Sequence, residues 1–360
     1  MNPLPSAPSF RARAVRAPWL GALLATAALT AQAQVAMPYY TAEQALQGLY
    51  GRHEQPRAQA FHAEATRLVQ TAQAHCAQSA PLSALRTQWQ QTLLAWQALA
   101  TPAIGPVVAR RSQRQIDFWP PRPALLKKAL DRAPQSLADL ERVGSPAKGF
   151  PALEQLLWAA PPDAPLPAAT CAYATLVAQG IEAEAAALQT AFEARADKDW
   201  SDSAEDTGAA FAEWINQWLG GLERLRWAYI EKPLRSANGR APGFARSTRE
   251  ADVADWQAQW QSLRAQARLA PGQYATPPAP GEALVPIEAL LMGKGQLALA
   301  QRWAQALDKV DAGFAALSPQ TPPQALLALA QQMKAVTVLY QNEVASALDV
   351  PLGFSDADGD

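Results

Sequence analysis

Apolar residues recur along this chain at three- and four-residue spacing almost from end to end, and no segment shows the alternation of a half-buried strand. Phe61, Leu68, Val69, Ala72 and Cys76 share one face, and Leu85, Trp89, Leu93 and Trp96 another, with Pro81 placed to open that helix. The pattern continues through Tyr173, Leu176, Gly180, Glu184, Leu188 and Phe192, and through Phe211, Ile215, Trp218, Leu222, Leu225 and Tyr229. Later stripes run through Val253, Trp256, Trp260 and Leu263, from Leu297 to Leu317, and from Gln324 to Leu348. Most of the thirty prolines fall between these stripes, in "TPAIGP", "FWPPRP", "GSPAKGFP", "APPDAPLPA", "APGQYATPPAPG" and "LSPQTPP". An all-α fold with proline-rich connections is the expectation.

The N-terminus reads differently. Arg11, Arg13 and Arg16 precede the apolar "WLGALLATAALTA", and "AQAQ" follows, so residues 1–33 are expected to be a secretory signal cleaved after Ala33. The apolar stretch is short of the roughly 20 residues that span a bilayer, and no cysteine follows the cleavage site to carry a lipid. Cleavage leaves 28 Lys and Arg (31−3) against 32 Asp and Glu, a balance that gives nucleic acid no footing. The 327 remaining residues (360−33) suffice for two domains with real cores. Cys76 and Cys171 are the only cysteines; in an exported chain they read as one disulfide, closing a loop worth roughly 4–5 kcal/mol by chain entropy, or else as two buried thiols.

"EKPLRSANGRAPGFARS" ends a long helix and carries three arginines, so a domain boundary is expected near residue 235, between a bundle over 34–235 and another over 236–360. "FPALEQLLW" (150–158) aligns without a gap to "LVPIEALLM" (284–292), which points to an internal duplication and pairs Glu154 with Glu288. Glu154 lies beside the arc of Leu153, Leu156 and Leu157, between Phe150 and Trp158, a position that keeps its carboxylate from full hydration. Gly149 frees the backbone and Pro151 suits a first helical position, which would place Glu154 in or just past the first turn. A helix-dipole gain of roughly 0.3–1 kcal/mol accounts for a first-turn glutamate, whereas the apolar frame calls for a cation or donor partner. Both readings stand on the sequence.

Partners are offered by "IGPVVARRSQRQIDFWP" (104–120). Arg110 and Arg111 fit a solvated basic loop; Arg114, nearest the aromatic Phe118 and Trp119, is the better candidate to meet a buried carboxylate or an anionic ligand, with Asp117 and Trp119 beside it.

The tryptophan helix (Trp89, Trp96), Gly105-Pro106, Trp119-Pro120, "KGFPALEQLLW" and the C-terminal "LDVPLGFSDADGD" together resemble the imelysin family of bacterial envelope proteins. The resemblance implies two helical bundles related by duplication, a functional site near their interface, and a place in iron uptake among other envelope components of a Gram-negative periplasm. Members often carry a glycine-x-histidine-x-x-glutamate motif once read as a metallopeptidase signature. Here Gly149 and Glu154 match, but Pro151 occupies the histidine position, and proline has no lone pair for a metal. His53, His62 and His75 form no helical zinc pair, and neither a "GxSxG" elbow nor a glycine-rich phosphate loop occurs.

A metal-dependent peptidase is therefore the weaker expectation. The stronger one is an exported binding or accessory component of iron acquisition whose ligand residues are Glu154, Arg114, Trp119, Glu288 and Asp117. A non-catalytic interaction module for a membrane partner is the third. Cofactor identity stays open: iron or another hard ion would suit Glu154, Glu288 and Asp117 if they converge, haem finds few histidines and methionines, and the terminal "DADGD" lacks the rest of a calcium loop.

Overall fold

Each apolar stripe forms a helix in the computed structural model, which describes Met1 and residues 36–161 and 164–353. The expected signal and the acidic tail 354–360 lie outside the described residues. The helices are α1 (Ala42–Gly48), α2 (Gln55–Cys76), α3 (Leu82–Ala100), α4 (Pro106–Ala109), α5 (Ser112–Ile116), α6 (Pro123–Arg132), α7 (Leu137–Glu141) and α8 (Gly149–Ala159). They continue as α9 (Ala168–Ala196), α10 (Ala204–Glu223), α11 (Lys232–Ser236), α12 (Arg249–Ala267), α13 (Ile287–Gly293), α14 (Leu297–Ala315), α15 (Pro323–Leu339) and α16 (Ala345–Ala347). No strand occurs among the described residues, and no described helix is long and apolar enough to cross a membrane.

Local chemistry sets the helix starts. Thr41 and Gln44 form a capping box on α1, and Ser136, Ser203 and Thr248 accept from backbone N–H groups of α7, α10 and α12. Pro81, Pro167, Pro286 and Pro322 stand just before α3, α9, α13 and α15, where a missing N–H costs nothing. Three wide turns with i→i+5 bonding interrupt the long helices, at Leu49–Glu54, Arg224–Glu231 and Tyr340–Val344; Gln55 N–H, for example, donates to the Tyr50 carbonyl. Such turns recur at functional sites because they redirect the side chains that follow.

In the N-terminal half α2 lies against α3 and α9, and α8 closes over α3 and α9. Phe61 meets Trp96 at 5.3 Å, and Trp89 sits against Phe150 and Trp158. In the C-terminal half Trp218 packs between Trp303 and Tyr340 at 5.2 and 5.1 Å. Across the position near 235 the helices keep packing. α12 lies on α3, Ser262 Oγ donates to the Ala98 carbonyl at 2.8 Å, and Trp218 Nε1 donates to the Leu263 carbonyl at 2.8 Å. A single apolar core runs through both halves. The Cys76–Cys171 disulfide ties the end of α2 to the start of α9, as expected for an oxidised pair.

One local expectation shifts at α8. Its first residue is Gly149, so Pro151 is third rather than first, and Glu154, sixth, falls just past the first turn. The dipole argument weakens there, because the field of a helix end falls off within one turn.

Candidate functional site

Gly149 decides where α8 begins. Its φ is +73°, and a Cβ on it would stand 2.3 Å from the Ile116 carbonyl oxygen, so only glycine lets α8 start against the end of α5. That contact brings Glu154, on α8, towards Asp117, the residue after α5. Both are buried. Between them stands an arginine from the other half of the chain, Arg246, on the loop before α12.

The Arg246 side chain is 1% exposed. Its Nη1 donates to Asp117 Oδ1 at 3.1 Å and its Nη2 to Asp117 Oδ2 at 3.3 Å, while Nε donates to Asp255 Oδ2 at 2.6 Å. Trp96 Nε1 and Gln97 Nε2 donate to Asp117 Oδ2, and Gln259 Nε2 donates to Asp255 Oδ1. The adjacent backbone is used as well: Arg246 N–H donates to Asp252 Oδ1 at 2.9 Å and Ser247 N–H to Glu154 Oε1 at 2.5 Å. From the wide turn Arg224–Glu231 come Tyr229 and Arg224, whose Nη2 donates to the Tyr229 hydroxyl at 3.2 Å.

Burial dominates the electrostatics. It opposes the charge of Arg246, but Asp117 and Asp255 outweigh it and hold that pKa well above the usual arginine value. Burial raises Glu154 to about 7, against the pull of Arg246 and Ser247, and raises Asp252 to about 7. It also raises Asp255 and Tyr229. Arg224 is half-buried, and among the described residues its one hydrogen bond is to Tyr229. The cluster thus joins two guanidiniums to two carboxylates firmly paired with Arg246 and two carboxyls poised near neutrality.

Asp252 and Asp255 belong to a longer pattern. Asp252, Asp255, Gln259, Ser262 and Gln266 follow 3-4-3-4 spacing on α12, and all are buried. At the far end of this polar seam Gln266 Nε2 donates to Glu54 Oε1 at 2.9 Å and lies 3.2 Å from His53 Nε2, while Trp214 Nε1 donates to Gln266 Oε1. Burial raises Glu54 to about 8 and lowers His53. The seam was readable: polar residues at heptad spacing next to the Trp256 and Trp260 stripe are a signal that attention to apolar residues alone passes over.

Of the residues singled out in the sequence, Glu154 and Asp117 share this cluster. Glu288 keeps a separate set: its Oε2 accepts from Arg268 Nη1 at 2.7 Å and Leu269 N–H at 2.9 Å, and its Oε1 accepts from the Tyr274 hydroxyl at 2.6 Å. Arg114 is exposed and Trp119 is 37% exposed. The guanidinium that meets the buried carboxylates is Arg246, from the arginine-bearing loop taken as the boundary. Arg110, read as solvated, makes a two-pronged pair with Glu184 at 2.9 and 2.7 Å.

The histidines lie apart from the cluster: His53 on the seam, His62 with Gln189 and Glu182, and His75 on the Ala80 carbonyl. The donor set around Glu154 does not fit a hydrolytic zinc site, since Pro151 replaces the motif imidazole and Arg246 already engages Asp117 and Asp255. What the arrangement can do is accept a cation or hydrogen-bond donor at Glu154 and Asp252, displacing protons, and offer the remaining Arg224 donors to an anion.

The Imelysin family model (peptidase family M75) matches residues 54–349. Among solved structures, an imelysin-like protein from Psychrobacter arcticum aligns with a TM-score of 0.67 at 20% identity, over 87% of this chain and 98% of the other. A protein from Parabacteroides distasonis described as an iron-regulated protein A precursor aligns with a TM-score of 0.62 at 14% identity, over 85% of this chain and 97% of the other. No curated protein matches the sequence.

Proposed function

Given that the chain belongs to the imelysin family, we propose that it is an exported, non-catalytic binding component of bacterial iron acquisition, working in the periplasm beside other envelope proteins of that system. One observation carries this reading: a buried cluster built on Arg246 leaves two carboxyls near neutrality and a guanidinium, Arg224, with donors to spare. Structural pairs normally end fully matched; a cluster kept part-matched at the cost of desolvation suits a ligand that completes it. A division of the chain near 235 puts Glu154, Asp117, Arg224 and Tyr229 on one side and Arg246, Asp252 and Asp255 on the other, so the ligand would sit between two bundles. Arg114 and Trp119, close to Asp117 in sequence, would flank its approach. The signal-like N-terminus supports export, and the name of the Parabacteroides relative supports the iron context.

Complementation in iron-poor medium tests the proposal. Glu154→Gln should fold and fail to restore growth, while Glu288→Gln should restore it; growth restored by both would remove Glu154 from the function. Elemental analysis of protein purified from its own periplasm identifies any metal carried. Incubation with an unfolded protein substrate and added zinc should leave that substrate intact, and chelator-sensitive cleavage lost in Glu154→Gln would reinstate the peptidase.

A further inference from the structure

Beside the arginine cluster, α5, α7, α8 and α9 enclose a cavity of about 320 Å³, within the ~300–1,000 Å³ of small-molecule sites. Ile116, Leu140 and Val177 give it an apolar wall. A Cβ on Gly180 would come within 2.7 Å of Leu140 Cδ2, so glycine there leaves that side chain its room. Of the charged groups lining it, Arg110 and Glu184 satisfy each other, and Ser112 Oγ adds a 2.6 Å bond to the same carboxylate.

Lys148 is not satisfied in that way. Its side chain is 11% exposed, yet its ionic neighbour, Glu141, is 3.7 Å away and 72% exposed. That separation exceeds hydrogen-bond reach, and a carboxylate so open to water is well screened. Its stem is largely buried, and its ammonium, with three N–H groups, has no hydrogen-bond partner among the described residues. Lys148 also immediately precedes α8, whose N-terminus has no side-chain cap and whose first residue, Gly149, lines the cavity. The positive end of an 11-residue helix therefore adds to the ammonium.

We propose that this cavity binds a small organic anion, a monocarboxylate with a short apolar chain or ring, its carboxylate on Lys148 and its apolar part against Ile116, Leu140 and Val177. Leu137, 41% exposed, stands at the mouth. The site is independent of the ligand assigned to the Arg246 cluster.

Calorimetric titration of the full chain with hexanoate, 1-hexanol and hexylammonium tests it. Hexanoate should bind saturably at one site, with the alcohol and the amine at least about tenfold weaker. Lys148→Arg should retain hexanoate, Lys148→Met should weaken it about tenfold or more, and Glu288→Gln should leave it unchanged. Hexanol binding as tightly as hexanoate, no hexanoate binding up to about 10 mM, or undiminished binding by a folded Lys148→Met would each overturn the proposal. The wild-type ligand series decides the question even if Lys148→Met does not fold.

Discussion

Glu154 and Glu288 occupy matching places in two similar nine-residue frames, and each accepts the backbone N–H of a residue that follows an arginine: Ser247 after Arg246, Leu269 after Arg268. There the likeness ends. Glu288 is in the first turn of α13 and takes direct bonds from Arg268, 14% exposed, and from the more open Tyr274. Glu154 is in the second turn of α8, and its neighbouring arginine bonds to Asp117 and Asp255 instead. One frame has spent its carboxylate on a local pair; the other holds it in reserve. Similar sequence thus fixes the helix and the burial, while the partner loop decides whether the charge is matched.

The largest effect that can break this contrast is loss of the central arginine. Arg246→Met strands Asp117 and Asp255 in the core and should lower unfolding free energy by about 3–5 kcal/mol, whereas Arg268→Met, which leaves Glu288 the Leu269 N–H and the Tyr274 hydroxyl, should lose less, about 1–3 kcal/mol. Urea denaturation of the two variants at neutral pH makes the comparison, and equal losses would mean that both pairs are alike.

Next comes pH. Glu154 has a folded pKa of about 7 against an ordinary value of 4.5. The fold favours the protonated form, so its contribution is complete below about pH 4 and is lost as pH climbs to about 7, a loss of about 3 kcal/mol above that. Asp252 acts in the same direction, and Glu54 extends the decline towards about 8. Stability should therefore fall from pH 5 to pH 8, and Glu154→Gln should gain about 3 kcal/mol at the upper end, with little change at the lower. A pH profile of the variant parallel to that of the parent would contradict the assignment. The smallest expected effect is Tyr274→Phe, which removes one bond to Glu288 and should lose about 1 kcal/mol in thermal or urea unfolding, with the pH profile unaltered.

Helices were legible because apolar spacing and proline punctuation both report on the same physical need, an apolar face buried and a backbone ended. Glu154 and Asp117 were legible because a charge set in apolar or aromatic sequence stands out. Arg246 was not: it lies 129 residues from Asp117 in a loop of ordinary composition, and only tertiary packing shows which arginine is inside. Arg114, nearer in sequence to Asp117, points to solvent instead. Asp252 and Asp255 escaped notice because a polar residue at helical spacing is usually taken for the outer face. In α12 the seam runs inward, against α3 and the wide turn at Arg224–Glu231.

The Cys76–Cys171 bond divides the Arg246 cluster topologically. Asp117 and Glu154 lie within the covalent ring it closes, and Arg224, Arg246, Asp252 and Asp255 lie on the chain beyond it. A backbone cut within 77–170 leaves every fragment tethered and both carboxylates still held near their arginine. A single cut in the exposed stretch 239–241, by contrast, separates Arg246 and its two aspartates from the ring, with packing as the only remaining link. Covalent continuity, and hence resilience to proteolysis, is thus distributed unevenly across one cluster: permanent on the side of Glu154, conditional on the side of the cation.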